Sequence, residues 1–326
     1  MQSIHFSSAF FATISLVALA ACDVDESLDP TIDQEFRTTF SVGCQSCNSP
    51  IVNDAMVNEL NLTGLPSKSG ITLISIIDPN SQLQYALKVD ELSHEFRVLD
   101  GQGGVISGQQ LVGWEIRVKD EQAVEYRLRI DSVERWPTWS DLNIDDEVVY
   151  RVSVWNNNVY VAQLCPAEDF DDQAITIIAG ETYDRDAIEV KSQDDTMITL
   201  ACVKEAAFKM KMLGYYPNSV NGDDEEQRQA TLKMLTADYC GIGHAFTKPG
   251  TPVAWKNSGG SVYPQWESSD DAIEAIWDKD GALCLATPRH VKYSDVVALC
   301  KGGTPPLCDE VDVINTPHEW STYRVP

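Results

Sequence analysis

The chain has 326 residues, 43% of them apolar, and its 50 acidic side chains against 24 basic ones give a net charge of −26. That length and apolar content can bury a sizeable core and point to two domains. The charge argues against a nucleic-acid binder, which needs clustered Lys and Arg, and against direct attraction to an anionic membrane.

Residues 6–21 hold no charged side chain, and Phe10 to Leu19 is apolar enough for a signal-peptide core. The run is shorter than the about 20 apolar residues that span a bilayer. It ends in Leu19-Ala20-Ala21-Cys22, small residues leading into a cysteine, as in a lipoprotein signal. Residues 1–21 are therefore expected to be removed and Cys22 to be acylated, although the first five residues carry no Lys or Arg. An ordinary cleaved signal peptide would export the chain as well. The expected location is the bacterial cell envelope, lipid-anchored, at the outer membrane or cell surface rather than the inner membrane.

Setting Cys22 aside leaves Cys44, Cys47, Cys165, Cys202, Cys240, Cys284, Cys300 and Cys308. An even set in an oxidising compartment reads as a disulfide framework, and four bridges can be drawn in about 105 ways. The pairing stays open at this point.

Residues 22–35 are acidic, contain Pro30 and lack periodicity, so they read as a tether. Residues 36–104 are expected to form a small β module opened by Cys44-Gln45-Ser46-Cys47. Ile71 to Ile77 is a β-branched run stopped by Asp78-Pro79-Asn80, and Tyr85 to Val89 and Glu95 to Leu99 follow as strands. Trp114 to Val118 and Tyr126 to Ile130 alternate apolar with charged residues, the pattern of half-buried antiparallel strands. Val148 to Val154 and Val159 to Leu164 flank Trp155-Asn156-Asn157-Asn158, a hairpin signal. Several short strands at close spacing suggest a sandwich or barrel.

The second half changes character. Cys202 to Leu213 is predicted helical and ends at Gly214. Asp223 to Glu226 places acid before a helix over Gln227 to Leu235. Asp270 to Trp277 and Tyr293 to Leu299 are further helix candidates, and residues 311–326 read as a tail. The fold class expected is α+β: a mostly antiparallel β N-terminal region with a disulfide-stapled C-terminal half containing short helices.

Candidate chemistry is sparse. Cys240 and His244 could form a thiolate–imidazole pair, but the even cysteine set favours a bridged Cys240. Cys44 and Cys47 lack the βαβ context of a redox motif and the second pair of a zinc site, so a structural role is expected. Asp278-Lys279-Asp280-Gly281 has the core of a calcium loop, yet Ile276 and Thr287 stand where acidic ligands belong. A β-turn is expected there, and no metal site. No cofactor is expected; calcium held by acidic loops is the weaker option. There is no G-x-S-x-G elbow, phosphate-binding loop or dinucleotide fingerprint. The histidines beyond the signal are His94, His244, His290 and His318, and the eight tryptophans read mainly as core.

The stretch Ala237-Asp238-Tyr239-Cys240, with Leu164-Cys165, Leu200-Ala201-Cys202, Leu213-Gly214-Tyr215, Thr247-Lys248-Pro249-Gly250-Thr251 and Trp277 to Leu285, resembles the ADYC-domain proteins, exported proteins and lipoproteins of myxobacterial type. The resemblance covers roughly residues 105–310. It implies export and a cysteine-stapled fold and carries no activity with it. The function expected is a lipid-anchored extracytoplasmic binding or structural module. Its only membrane contact would be the lipid, and no nucleic acid is expected; whether it has a protein or glycan partner stays open. A hydrolase with a site near Asp238 and His244 is the alternative.

Overall fold

The computed structural model describes residues 48–140, 145–192, 194–248, 251, 253–262 and 273–324. The expected signal peptide and tether, together with Cys22, Cys44 and Cys47, lie outside the described residues, as does Trp266.

In chain order a short ribbon, β1 (Ile51–Val52) and β2 (Ala55–Met56), precedes β3 (Glu59–Asn61), β4 (Thr72–Ile77) and β5 (Gln84–Tyr85). β6 (Lys88–Val89), β7 (Phe96–Leu99) and β8 (Val105–Ser107) form a small sheet of their own. Then come β9 (Glu115–Lys119), β10 (Glu125–Trp136), β11 (Glu147–Asn156), β12 (Val159–Gln163) and β13 (Ala174–Ala179). The hairpin β14 (Glu181–Asp184) and β15 (Glu189–Ser192) leads to β16 (Met197–Cys202). The main sheet is antiparallel with the order β3-β16-β13-β11-β10-β9-β4-β5, and β12 pairs with β11. Strands on both sides of residue 104, the expected module boundary, thus share one sheet.

Alternation explains the middle of this sheet. Tyr126, Leu128 and Ile130 of β10 face the core, while Arg127 and Arg129 face outward. Arg127 pairs with Glu115 at 3.1 Å, and Arg129 pairs with Asp131 at 2.8 Å and lies over the Trp155 ring. β11 is instead buried along Glu147 to Val154, as a strand covered on both faces must be. Its Glu147 is matched by Lys211, which is fully buried and also donates to the Ile177 carbonyl at 2.8 Å.

The second half holds α1 (Ala206–Met212), α2 (Glu225–Thr236), β17 (Val253–Asn257), β18 (Ile273–Asp278), β19 (Gly281–Leu285), α3 (Tyr293–Cys300) and β20 (Trp320–Arg324). A four-stranded sheet runs β17-β20-β18-β19, and α2 packs against β18 and β20. The protein is thus α+β, mostly antiparallel, with three short helices among the described residues.

Three local expectations are corrected. The helix predicted from Cys202 begins at Ala206, because Cys202 pairs with Ile175 across the main sheet and ends β16. Asp270 to Trp277 was predicted helical, but Ile273 to Asp278 is a strand; Ala275, Ile276 and Trp277 are all buried, and such a run fits either element. The expected tail supplies β20, a central strand.

Each of the six described cysteines is bridged: Cys165–Cys202, Cys240–Cys300 and Cys284–Cys308. The bridges span 37, 60 and 24 residues. Chain-entropy arguments give loops of these lengths about 3–4 kcal/mol each.

Candidate functional site

The site is built from the end of α2 upward. The Asp224 carboxylate caps the helix by accepting the Glu226 N–H at 2.9 Å, and Glu225 and Glu226 sit in the first turn, where the helix dipole favours acid. The helix stops at Ala237, which is left-handed at φ 54° and fully buried. The chain then reverses through Asp238 to His244.

Asp238 is fully buried at the centre of that turn. Its carboxylate accepts the N–H groups of Ile242 at 3.1 Å and Gly243 at 2.9 Å and pairs with Lys233 Nζ at 2.8 Å. Gly241 is required twice over: its φ is +66°, and a Cβ there would overlap the Asp280 carbonyl oxygen.

Tyr239 stacks on Trp277 with 5.2 Å between ring centroids. Its hydroxyl donates to Glu274 Oε1 at 2.6 Å and accepts the Arg289 N–H at 2.9 Å. Arg289 Nε reaches the same Glu274 oxygen at 2.7 Å, and Arg289 Nη2 donates to the Met234 carbonyl at 2.8 Å at the end of α2. Burial, and then the Glu274 charge, push the Tyr239 phenol far above its usual range. Cys240 closes the turn by its bridge to Cys300 in α3.

The family model for the ADYC domain matches residues 108–291. The chain belongs to the ADYC family. No curated protein and no solved structure matches it. The ADYC match runs from the loop before β9 through the tetrad to Val291. It includes the Cys165–Cys202 bridge, whereas Cys300, Cys308 and β20 lie beyond it.

Within the ADYC tetrad no side chain offers a free reactive group. Ala237 shapes the turn, Asp238 holds the turn amides, Tyr239 joins Glu274 to Arg289, and Cys240 is bridged. His244 is exposed; its ring packs edge-on against Phe246 at 4.6 Å, and only its backbone N–H approaches Asp238, at 3.4 Å. Asp238 and His244 are thus neighbours through the backbone and not as a side-chain pair. Asp278 and Asp280 sit at the β18–β19 hairpin, where Asp278 Oδ1 accepts the Asp280 N–H at 2.9 Å. Among the described residues no His, Cys, Asp or Glu group is arranged to hold a metal. Trp114, Trp139, Trp255, Trp277 and Trp320 are buried.

A recess of about 960 Å³ opens beside the four-stranded sheet, lined by Lys256, Ile273, Val311, His318, Ser321 and Tyr323. His318 Nδ1 lies 2.7 Å from the Thr316 carbonyl, which can only accept, so the ring proton sits on Nδ1. Nε2 is then left to accept the Ser321 hydroxyl at 2.8 Å. Sequence reasoning named His318 but passed over Ser321. Their spacing of three residues means something only once residues 320–324 are known to be a strand facing a recess.

Proposed function

We propose that this ADYC protein is exported, anchored by lipid on Cys22, and works as a non-catalytic binding or structural module in the cell envelope. The observation that carries the reading is the tetrad, whose polar groups are all engaged inside the fold. Three disulfides are compatible with an extracytoplasmic protein. No helix among the described residues is long and apolar enough to cross a membrane. The recess at His318 gives such a module a concave surface of the size that ligand pockets have. Cells grown with an alkyne fatty acid should yield labelled wild-type protein and unlabelled Cys22→Ser protein. Label retained on Cys22→Ser would reject the anchor.

A hydrolase is the second reading, and one observation favours it. Ser321 and His318 have the contact of a nucleophile with its base, the base being oriented by the Thr316 carbonyl. A fluorophosphonate serine probe decides between the readings. The binding reading expects no labelling of the folded protein, whereas labelling that disappears in Ser321→Ala would establish the hydrolase.

A further inference from the structure

We infer that the recess where α3 begins beside the end of β20 binds an anion of the phosphate-monoester class. The recess has a volume of about 690 Å³, and its lining includes Pro288, His290, Lys292, Tyr293 and Arg324. Lys248 lies close enough to His290 that its charge, after burial, helps to hold the imidazole below its usual pKa; Arg289 acts the same way and Glu274 opposes.

The charge balance here is the reverse of the rest of the chain. Lys248, His290, Lys292 and Arg324 are all exposed, and among the described residues none of the four side chains has an ion-pair partner. Most other cations among the described residues are paired; Arg127, Arg151, Arg185, Lys211, Arg228 and Lys233 each have a carboxylate. The single carboxylate in the lining, Asp295, already accepts the Lys292 backbone N–H at 3.1 Å. Several cations against one lining carboxylate leave an excess of positive charge, and a cleft with low-dielectric walls focuses its field on whatever enters.

The chemistry of the donors narrows the ligand. Lys292 supplies a compact ammonium charge and Arg324 a planar fork suited to phosphate oxygens, while Lys248, outside the lining, adds its field near His290. Arg289 adds only its field, since its guanidinium is held by Glu274 and the Met234 carbonyl. A phosphoryl group fills a small part of the volume, and Pro288, Val291 and Tyr293 form a wall for an organic remainder. Soluble phosphate monoesters and the phosphatidic acid headgroup share this chemistry. The inference stands apart from both the lipid anchor and the His318 recess.

The test uses the full Cys22→Ser chain, so that no attached lipid contributes. Glycerol 3-phosphate, or vesicles containing phosphatidic acid compared with vesicles of phosphatidylcholine alone, should bind saturably and more weakly as salt rises. The Lys292→Ala/Arg324→Ala double variant should lose roughly tenfold or more in affinity with an unchanged melting temperature, since both side chains are exposed. Lys301→Ala, at the far end of α3, should bind as the parent does. Binding to the soluble ester alone assigns a free ligand, and selective vesicle binding that the double variant loses assigns a headgroup. Absence of saturable binding to either probe, or equal affinity in the double variant, overturns the inference.

Discussion

Replacing Arg289 with alanine is expected to remove about 3–5 kcal/mol of folding stability, the usual result of breaking a buried ion pair from one side. Glu274 is fully buried, and its Oε2 already has no partner among the described residues. Without the guanidinium its remaining charge would face only the Tyr239 hydroxyl. The same substitution strips the Met234 carbonyl of a donor at the end of α2. Chemical denaturation at pH 7 measures the loss, provided the slope with denaturant is unchanged. Removing both charges, as in Arg289→Met with Glu274→Leu, should restore much of it, because a buried pair replaced by apolar side chains is often neutral. A loss under about 1 kcal/mol for Arg289→Ala would show that the pair does not anchor the tetrad.

The second large effect is an acid destabilisation carried by His94. This histidine is fully buried, with Nε2 3.0 Å from the Pro217 carbonyl and Nδ1 accepting the Ala179 N–H at 2.8 Å. Both nitrogens suit the neutral ring: Nε2 carries the proton and Nδ1 the lone pair. A second proton would set an N–H against the Ala179 N–H. Burial, and then the charge of Lys211, lower the pKa to about 3.

Between that value and the unfolded value near 6.5 the unfolded chain binds the proton and the native state does not, so stability rises with pH across this window. The contribution is complete above the unfolded value. It is lost on acidification at up to about 1.4 kcal/mol per pH unit. Buried carboxylates with raised pKa, among them Glu181 and Glu205, act in the opposite sense, since they take up protons more readily in the native state. The measurable quantity is therefore a difference. His94→Gln should be less stable than the parent at pH 7.5, and the gap should close by about 2–3 kcal/mol on going to pH 4.5. A gap that stays constant with pH would sink the assignment.

Much of the fold was legible because its signals are local. The alternation over Tyr126 to Ile130 marks a half-buried strand, and the acidic run Asp223 to Glu226 marks a helix start, which the structure places at Glu225 with Asp224 as its cap. Gly241 and Gly243 mark the turn after the tetrad. What was missed depends on partners far apart in the chain. Tyr239, Glu274 and Arg289 are separated by 35 and 15 residues, and no pattern within any one segment announces that they meet. Eight cysteines leave their pairing open until strand order is known. Ile273 to Trp277 reads equally as a buried helix or a buried strand until β20 is seen beside it. β20 itself is five residues following a segment rich in Gly and Pro, without enough alternation to stand out.

The position of β20 has a consequence for the order of assembly. It lies between β17 and β18, and β17 has no other strand partner among the described residues. Of the four strands it is also the last to leave the ribosome. The β18–β19 hairpin can close as it emerges, but β17 must wait, and Cys240 and Cys284 must wait for Cys300 and Cys308. The four-stranded sheet against which α2 packs therefore stays incomplete until synthesis has passed residue 320.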